Sequence, residues 1–251
     1  MIRQTIELLG VNVDIINPNK ACERIAQWIL EKKKSYVCVA PVSTLVDCQK
    51  DQLYKDIVNQ ASMVTPDGMP VVWLARSKGA KQIERTYGPD LLLKLTDVGQ
   101  SKGWRHFFYG ATQETCDLLE RRLKYLFTDV NIVGKIVPPF KTKAEKESED
   151  ILFQINKADP DILWIALGSP KQDYWMYHNR PYLNASVLVG VGAAFDFISG
   201  LKPQAPQWMR NSGLEWLFRL CCEPKRLWRR YLIGNALFVF YILKDLLRKN
   251  K

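Results

Sequence analysis

The apolar run ILWIAL at residues 162–167, followed by GSPKQD at 168–173, decides the fold of this chain. A continuous apolar run is typical of a strand covered on both faces, as in a parallel sheet. The Gly-Ser-Pro turn after it opens a predicted helix at 170–180. Such a turn presents backbone N–H groups to a ligand at the carboxyl edge of the sheet, where Gln172 would add a directional hydrogen bond. The alternative is an ordinary turn between a strand and a helix.

The same alternation continues on both sides of that stretch. Further apolar runs predict buried strands at 36–40, 107–109, 131–133 and 187–191. Helix-like patterns lie between them, at 19–34, 50–61, 89–102, 112–127 and 142–157. This alternation predicts an α/β fold with a mostly parallel, Rossmann-like sheet flanked by helices, whose ligands bind at the carboxyl ends of the strands.

Composition limits the class of protein. The 251 residues are 47% hydrophobic and 25% charged, which suits one α/β domain, or one domain with an appendage. These values exclude intrinsic disorder, collagen-like repeats and a polytopic membrane protein. The six cysteines form no CxxC pair, and the first residues lack the pattern of a signal peptide. We therefore expect reduced thiols in a cytosolic compartment.

The charge is concentrated at the C-terminal end. Residues 201–251 hold eleven Lys and Arg against three Asp and Glu, a net +8 of the total +10. We therefore divide the chain into a catalytic domain at 1–200 and a basic helical appendage at 201–251. The uncharged run 231–243 is 13 residues long, shorter than the roughly 20 residues of a membrane span. Its flanking cations and aromatic residues favour a helix in the membrane interface, with a terminal core helix or an oligomer contact as alternatives.

Three motifs offer candidate site residues. Asp67, in TPDGMP at 65–70, follows a strand end and can serve as a general base; the alternative is an Asx-turn or a helix cap. Arg85 precedes a predicted helix start at Pro89, where it can bind an anion; the alternative is a surface arginine. Gly192, in GVGAAFD at 190–196, allows a close approach to a nucleotide or sugar. That motif departs from the GxGxxG dinucleotide fingerprint because Phe195 holds the third glycine position.

No metal site is predicted. Asp159 and Asp161 match a DxD pattern, but they precede the 162–167 strand and lie at the amino end of the sheet, so we interpret them as a turn. The two histidines, His106 and His178, are too scattered for metal ligands, and His106 lies in a strand-like run that indicates a structural role.

Taken together, these motifs resemble the WecG/TagA/CpsF family of bacterial glycosyltransferases, glycosyltransferase family 26. The resemblance covers about residues 10–235 and rests on five motifs in order: PDGMPVVW at 66–73, RTYGPDL at 85–91, LGSPKQD at 167–173, GVGAAFDFISG at 190–200, and APQWM…GLEWLFRLCCEPKRLWRRYL at 205–232. Each motif alone is weak, whereas the five in this order are specific.

The resemblance implies an inverting transferase that moves a sugar from a UDP-sugar to a polyprenyl-diphosphate-linked saccharide. It would act peripherally at the cytoplasmic face of the bacterial inner membrane, on an anionic membrane surface, and serve teichoic-acid, common-antigen or exopolysaccharide synthesis. No cofactor and no DxD-bound metal are implied. By position, Asp67 is the base, Arg85 a diphosphate contact and Gln172 a contact to the donor. Three arginines of the appendage match those thought to meet the diphosphate of the lipid acceptor: Arg219, Arg226 and Arg229.

Two departures from the family pattern affect these assignments. The turn after the 36–40 strand lacks the usual Asn, and Ser43 or Thr44 takes its place; we assign Thr44 to substrate binding. Gln204 and Asp173 replace an Arg and a Glu common in the family, so the donor sugar can differ. The alternatives are a nucleic-acid-binding protein that uses the basic tail and a Rossmann-type oxidoreductase. We expect no nucleic acid partner, and a homo-oligomer stays open.

Overall fold

The centre of the computed structural model, which describes residues 3–139 and 146–249, is a six-stranded parallel sheet. Its strands follow a two-stranded antiparallel hairpin, β1 (Thr5–Leu8) and β2 (Val11–Asp14). The sheet contains β3 (Ser35–Ala40), β4 (Met63–Pro66), β5 (Arg105–Gly110), β6 (Asn131–Ile136), β7 (Ile162–Ala166) and β8 (Val187–Gly190), in the order β4-β3-β8-β7-β5-β6. The predicted α/β architecture is confirmed, and all five predicted strands are present.

Helices flank this sheet between the strands. Their bounds are α1 (Pro18–Leu30), α2 (Val42–Lys50), α3 (Gln52–Gln60), α4 (Met69–Ser77), α5 (Gly88–Gln100), α6 (Gln113–Leu126), α7 (Glu149–Ala158), α8 (Lys171–Asn179) and α9 (Ala194–Ser199). The helix predicted at 142–157 begins later, because the Ser148 hydroxyl caps it by accepting from the Ile151 N–H. Residues 142–145 of that prediction lie outside the described residues.

The core consists of two apolar layers, one on each face of the sheet. Successive residues of β7 alternate between them: Leu163 and Ile165 belong to one layer, and Trp164 to the other. Because both layers are buried, each central strand needs apolar residues at every position. This is why the unbroken apolar run at 162–167 predicted the fold.

The sequence predictions do not include the β1–β2 hairpin or the helices α2, α4 and α9. The β1–β2 hairpin has only four residues in each strand, too few for a clear alternation. Helix α2 begins directly after Pro41, where we expected a turn, and α4 begins two residues after Asp67. Both helices have their first residues at the carboxyl edge of the sheet, and they position the site.

The C-terminal segment, residues 201–249, packs against this body. It contains α10 (Gln207–Asn211), α11 (Glu215–Cys222), α12 (Pro224–Trp228), a π-helical turn (Arg229–Ile233) and α13 (Gly234–Lys249). In α13, Phe238 is buried in a core layer of the body, and Asp245 pairs at 2.8 Å with Lys78, the residue directly after α4. The division of the chain at residue 200 stays a prediction.

Helix α13 also has an outward apolar face. Val239, Phe240, Leu243, Leu246 and Leu247 are exposed, Leu247 by 70%, and their spacing places them along one side of the helix. The inward side is formed by Phe238, Tyr241 and Ile242. Across residues 3–139 and 146–249, no helix combines the length and the apolar character needed to cross a bilayer.

Candidate active site

Two neighbouring cavities lie at the carboxyl edge of the sheet. The sheet-edge cavity, of about 910 Å³, is lined by the residues that follow β3, β4, β5, β7 and β8, among them Gly168, Ser169, Gln172 and Gly192. The tail-side cavity, of about 680 Å³, lies between the start of α4 and the C-terminal segment, and Met69, Pro70, Trp216 and Tyr231 line it. Four residues line both cavities: Pro41, Asp67, Arg219 and Arg230.

Asp67 is held at this junction by the backbone on either side of it. Its own N–H donates to the Ala40 carbonyl at 3.2 Å, and the Thr86 N–H donates to the Pro66 carbonyl at 2.9 Å. Gly68 turns the chain with a φ of +85°, a conformation that favours glycine, and α4 begins after it. Asp67 does not cap α4 in the described structure, because the N-cap residue of that helix is Gly68 and no side-chain hydrogen bond caps it.

The surroundings of Asp67 suit a base that works near neutral pH. Burial raises the pKa of Asp67 to about 7, and the negative charge of Glu215 adds to this rise. Three guanidinium groups, those of Arg85, Arg219 and Arg230, act in the opposite direction. A carboxyl group with this pKa can accept a proton from a substrate hydroxyl and release it again.

Cationic side chains of the C-terminal segment face Asp67. Arg219 of α11 lies 5.2 Å from the centre of the Phe197 ring. Arg230 donates from Nη2 to the Ser43 hydroxyl at 2.8 Å. Arg226 lines the sheet-edge cavity and pairs with Glu223. Guanidinium groups in this arrangement can bind phosphate oxygens.

The structure brings Arg230, not Arg229, to the cavities. The Arg229 guanidinium lies 5.2 Å from the centre of the Trp228 ring, and Arg229 contributes to neither of the two cavities. Successive residues of a helical turn point in different directions, so two adjacent arginines do not face the same cavity. The substrate contact expected of Arg229 stays a prediction, and Arg230 becomes a further candidate for it.

Arg85 lies behind the cavity wall. Its guanidinium is 4.1 Å from the centre of the Tyr87 ring, donates to the Arg210 carbonyl at 3.1 Å, and lies 3.4 Å from a carboxylate oxygen of Glu215. The Arg85 side chain is only 10% exposed and contributes to neither of the two cavities. Arg85 thus contacts the C-terminal segment, and its role as a diphosphate contact stays a prediction.

Gln172 and Gly192 lie next to each other at the carboxyl edge of the sheet, where both were expected. The Gln172 Oε1 accepts from the Gly192 N–H at 2.9 Å, and its Nε2 donates to the Ser169 hydroxyl at 3.2 Å. Both residues line the sheet-edge cavity. The Gln172 amide thereby joins the turns after β7 and β8, which fixes the shape of the cavity floor.

Thr44 is placed away from the site. It is 1% exposed within α2, because α2 begins at Val42 and turns Thr44 towards the core. Ser43, the other residue considered for that position, lines the tail-side cavity.

Asp159, Asp161 and His106 make structural contacts at or within the sheet. Asp161 accepts from the Arg105 N–H at 2.8 Å, and Asp159 pairs with the Arg105 guanidinium at 2.8 Å, both at the amino end of the sheet. His106 is buried and accepts from the Trp164 indole N–H at 3.1 Å, and burial lowers its pKa to about 4. Across the described ranges, no group of three or more His, Cys, Asp or Glu side chains is arranged to hold a metal ion.

Besides Arg230, sequence reasoning missed three residues that line the cavities. Glu215 and Tyr231 line the tail-side cavity, and Tyr87 lines the sheet-edge cavity. All three lie within the motifs that carry the family resemblance, but the spacing of these motifs does not predict which way each side chain faces. The contact of Tyr87 with Glu215, at 2.9 Å, joins residues that are far apart in the chain.

Known proteins with similar sequences identify the family of this chain. The sequence profile of the glycosyl transferase WecG/TagA/CpsF family matches residues 6–251. An N-acetylglucosaminyldiphosphoundecaprenol N-acetyl-beta-D-mannosaminyltransferase of Bacillus spizizenii is 29% identical over 205 residues, covering 82% of this chain and 77% of the relative. The protein of that name from Bacillus subtilis is 29% identical over 202 residues, covering 80% and 75%.

A third relative extends the match over more of the chain. The protein of the same name from Staphylococcus aureus (strain NCTC 8325 / PS 47) is 23% identical over 244 residues, covering 95% of this chain and 92% of the relative. Because the family profile spans nearly the whole sequence, including the five motifs around the two cavities, the chain belongs to the WecG/TagA/CpsF family of glycosyltransferases.

Proposed function

We propose that this glycosyltransferase moves a sugar from a UDP-sugar to a polyprenyl-diphosphate-linked saccharide, with inversion at the anomeric carbon and Asp67 as the base. One observation carries the proposal: Asp67 stands in the wall that the two cavities share, with Arg219 and Arg230 beside it. A base at such a junction can reach an acceptor hydroxyl in one cavity and a donor sugar in the other.

The sheet-edge cavity suits the nucleotide donor. Its floor consists of glycine-containing turns after β7 and β8, where a ligand can approach the backbone closely. Its opposite wall carries Arg219, Arg226 and Arg230, which would compensate the charge of a diphosphate. We place the uridine diphosphate here and assign the Gln172 amide to the fixed floor beneath it.

The reaction then follows from the positions of these groups. Asp67 accepts the proton of the acceptor hydroxyl while that oxygen attacks the anomeric carbon, and the bond from this carbon to UDP breaks on the opposite face. A positioned base contributes about 10²–10⁴-fold to such a rate. The departing diphosphate gains negative charge, and the arginines stabilise this charge. Loss of one such interaction lowers the rate by about 10²–10³-fold. No bound metal ion is required by this proposal.

The tail-side cavity suits the lipid-linked acceptor. Apolar side chains line much of it, and the exposed apolar face of α13 belongs to the same C-terminal segment. The names of the relatives specify an N-acetylglucosamine carried on a diphosphoundecaprenol, and we propose an acceptor of this class. Each Lys or Arg near an anionic lipid surface adds about 1 kcal/mol to membrane binding, so the basic appendage would hold the enzyme at a bilayer.

A transfer assay with the full chain tests the proposal. The protein is incubated with a panel of UDP-sugars and a short-chain polyprenyl-diphosphate N-acetylglucosamine, and UDP release and product mass are measured. We expect acceptor-dependent release with one or a few of the sugars, and the same rate after treatment with a chelator. Absence of transfer with every sugar, or loss in chelator that magnesium or manganese reverses, contradicts the proposal in its function or in its metal independence.

The base is tested by Asp67→Asn. The amide cannot accept the proton, so we expect at least a 10²-fold loss of kcat with UDP binding by calorimetry nearly unchanged. Asp97→Asn on the exposed side of α5 is the matched control and should behave as the wild type. Near wild-type turnover of Asp67→Asn rules out this base.

A further inference from the structure

A second carboxylate shares the tail-side cavity with Asp67. Glu215 is the first residue of α11, so the C-terminal segment brings it to the cavity. It is largely buried, with 16% of its side chain exposed. Glu215 has no role in the proposed mechanism so far. A buried carboxylate close to a base nevertheless changes the pKa of that base.

Two side chains of the body hold Glu215 in place. The Tyr87 hydroxyl donates to its Oε1 at 2.9 Å, and Nη2 of Arg85 lies 3.4 Å from its Oε2. Arg85 is itself fixed by the Tyr87 ring and by the Arg210 carbonyl. Both carboxylate oxygens therefore have a partner on the body, and the position of Glu215 is defined on two sides.

We propose that Glu215 is a positioning residue for the transfer: the docking of α11 onto Arg85 and Tyr87 sets its negative charge beside Asp67 and makes Asp67 a stronger base. The inference rests on the proposed function, because it takes Asp67 as the base. Glu215 itself needs no contact with the reacting atoms.

Glu215 acts against the arginines among the charged groups around Asp67. Titratable and charged groups reach Asp67 from three parts of the chain: Arg85 and Tyr87 before α5, Glu215 and Arg219 on α11, and Arg230 and Tyr231 in the π-helical turn. Three guanidinium groups favour the ionised form of Asp67, whereas Glu215 opposes it. Without the negative charge of Glu215, the arginines would ionise Asp67 at lower pH and make it a weaker base.

The pH dependence of kcat/KM separates this role from simple docking. Glu215→Gln removes the charge but keeps an oxygen that can accept from Tyr87. We expect the acidic limb of the profile to move down by ~0.5–1 pH unit, and kcat above the limb to fall several-fold. Glu215→Asp keeps the charge, so its limb should stay at the wild-type position even if kcat falls.

Two controls keep the test decisive. Glu84→Gln removes an exposed carboxylate one residue before Arg85 and should leave the profile unchanged. Glu215→Asn is a second neutral variant in case Glu215→Gln does not fold, which circular dichroism and thermal melting establish beforehand. An unmoved limb in the folded neutral variants overturns the inference, whether or not their activity falls. Failure of the wild type to transfer, or an active Asp67→Asn, instead overturns the proposed function.

Discussion

Nη2 of Arg230 donates a hydrogen bond to the Ser43 hydroxyl at 2.8 Å, which joins the π-helical turn of the C-terminal segment to the first turn of α2. This contact closes the wall between the two cavities, because both residues line the tail-side cavity and Arg230 also lines the other. The site therefore depends on both the α/β body and the C-terminal segment.

We expect Arg230→Ala to lower kcat/KM by about 10²–10³-fold, because it removes a cation from beside the departing diphosphate. Arg229→Ala is the matched control: it makes the same change one residue earlier, where the guanidinium lies against Trp228, and should cost less than a few-fold. Steady-state kinetics with the donor varied measure both. Equal losses for the two variants would contradict the assignment of Arg230.

The pH dependence of kcat/KM should report Asp67. The base must be ionised, and burial raises the pKa of Asp67 to about 7, so the rate should increase with pH through about 7 and level off above it. Initial rates between pH 5 and 9 at constant ionic strength measure this limb. A rate that stays constant from pH 5 to 9, as an aspartate with the ordinary pKa of 3.8 would give, would contradict Asp67 as the base.

Stability should depend on pH through a second buried acid, Asp173. The Tyr54 hydroxyl donates to it at 2.7 Å, and burial raises its pKa from 3.8 to about 6. The folded state binds the proton of Asp173 more tightly than the unfolded state does. The free energy of unfolding should therefore decrease as the pH rises from about 4 to about 6, and it should stay at the lower value above pH 6. Asp173→Asn should therefore gain roughly 2–3 kcal/mol relative to the wild type across this interval.

Urea unfolding of both proteins at pH 4, 5, 6 and 7 measures this difference. The amide oxygen of the variant can still accept from Tyr54, so the comparison isolates the titration. Asp56→Asn, on the exposed side of α3, is the control and should show no such trend. A constant difference between Asp173→Asn and the wild type at all four values would contradict the prediction.

The exposed face of α13 should bind anionic vesicles. We expect the double variant Phe240→Asp, Leu247→Asp to weaken binding more than 10-fold in flotation assays, because it places two acids on the apolar face next to the lipid. Leu30→Asp changes an exposed leucine of the body, at the end of α1, and should bind as the wild type does. Equal flotation of both variants argues against this surface, and tight DNA binding at matched salt would favour the nucleic-acid alternative.

The sequence predicted the sheet better than the site, for a physical reason. Burial on both faces requires apolar residues throughout β7, so local composition alone reveals the strand. The sequence also predicted the turn at Asp67, because Gly68 supports a backbone conformation that other residues rarely adopt.

The directions of the side chains could not be predicted from the sequence in the same way. Whether Arg229 or Arg230 faces the cavity depends on the π-helical turn that carries them. Arg85 meets Glu215 because α11 packs there, and Thr44 faces the core because α2 begins at Val42. Each of these outcomes depends on tertiary packing, which no local motif encodes.

The two apolar sides of α13, one packed on the body and one turned outward, have a consequence for how the proposed enzyme finds its acceptor. Enzyme and acceptor would diffuse in the same two-dimensional layer, so the encounter rate would follow the number of acceptor molecules per unit area. Adding inert lipid to an assay should then slow turnover by dilution, even though the amounts of enzyme and acceptor in the tube stay the same.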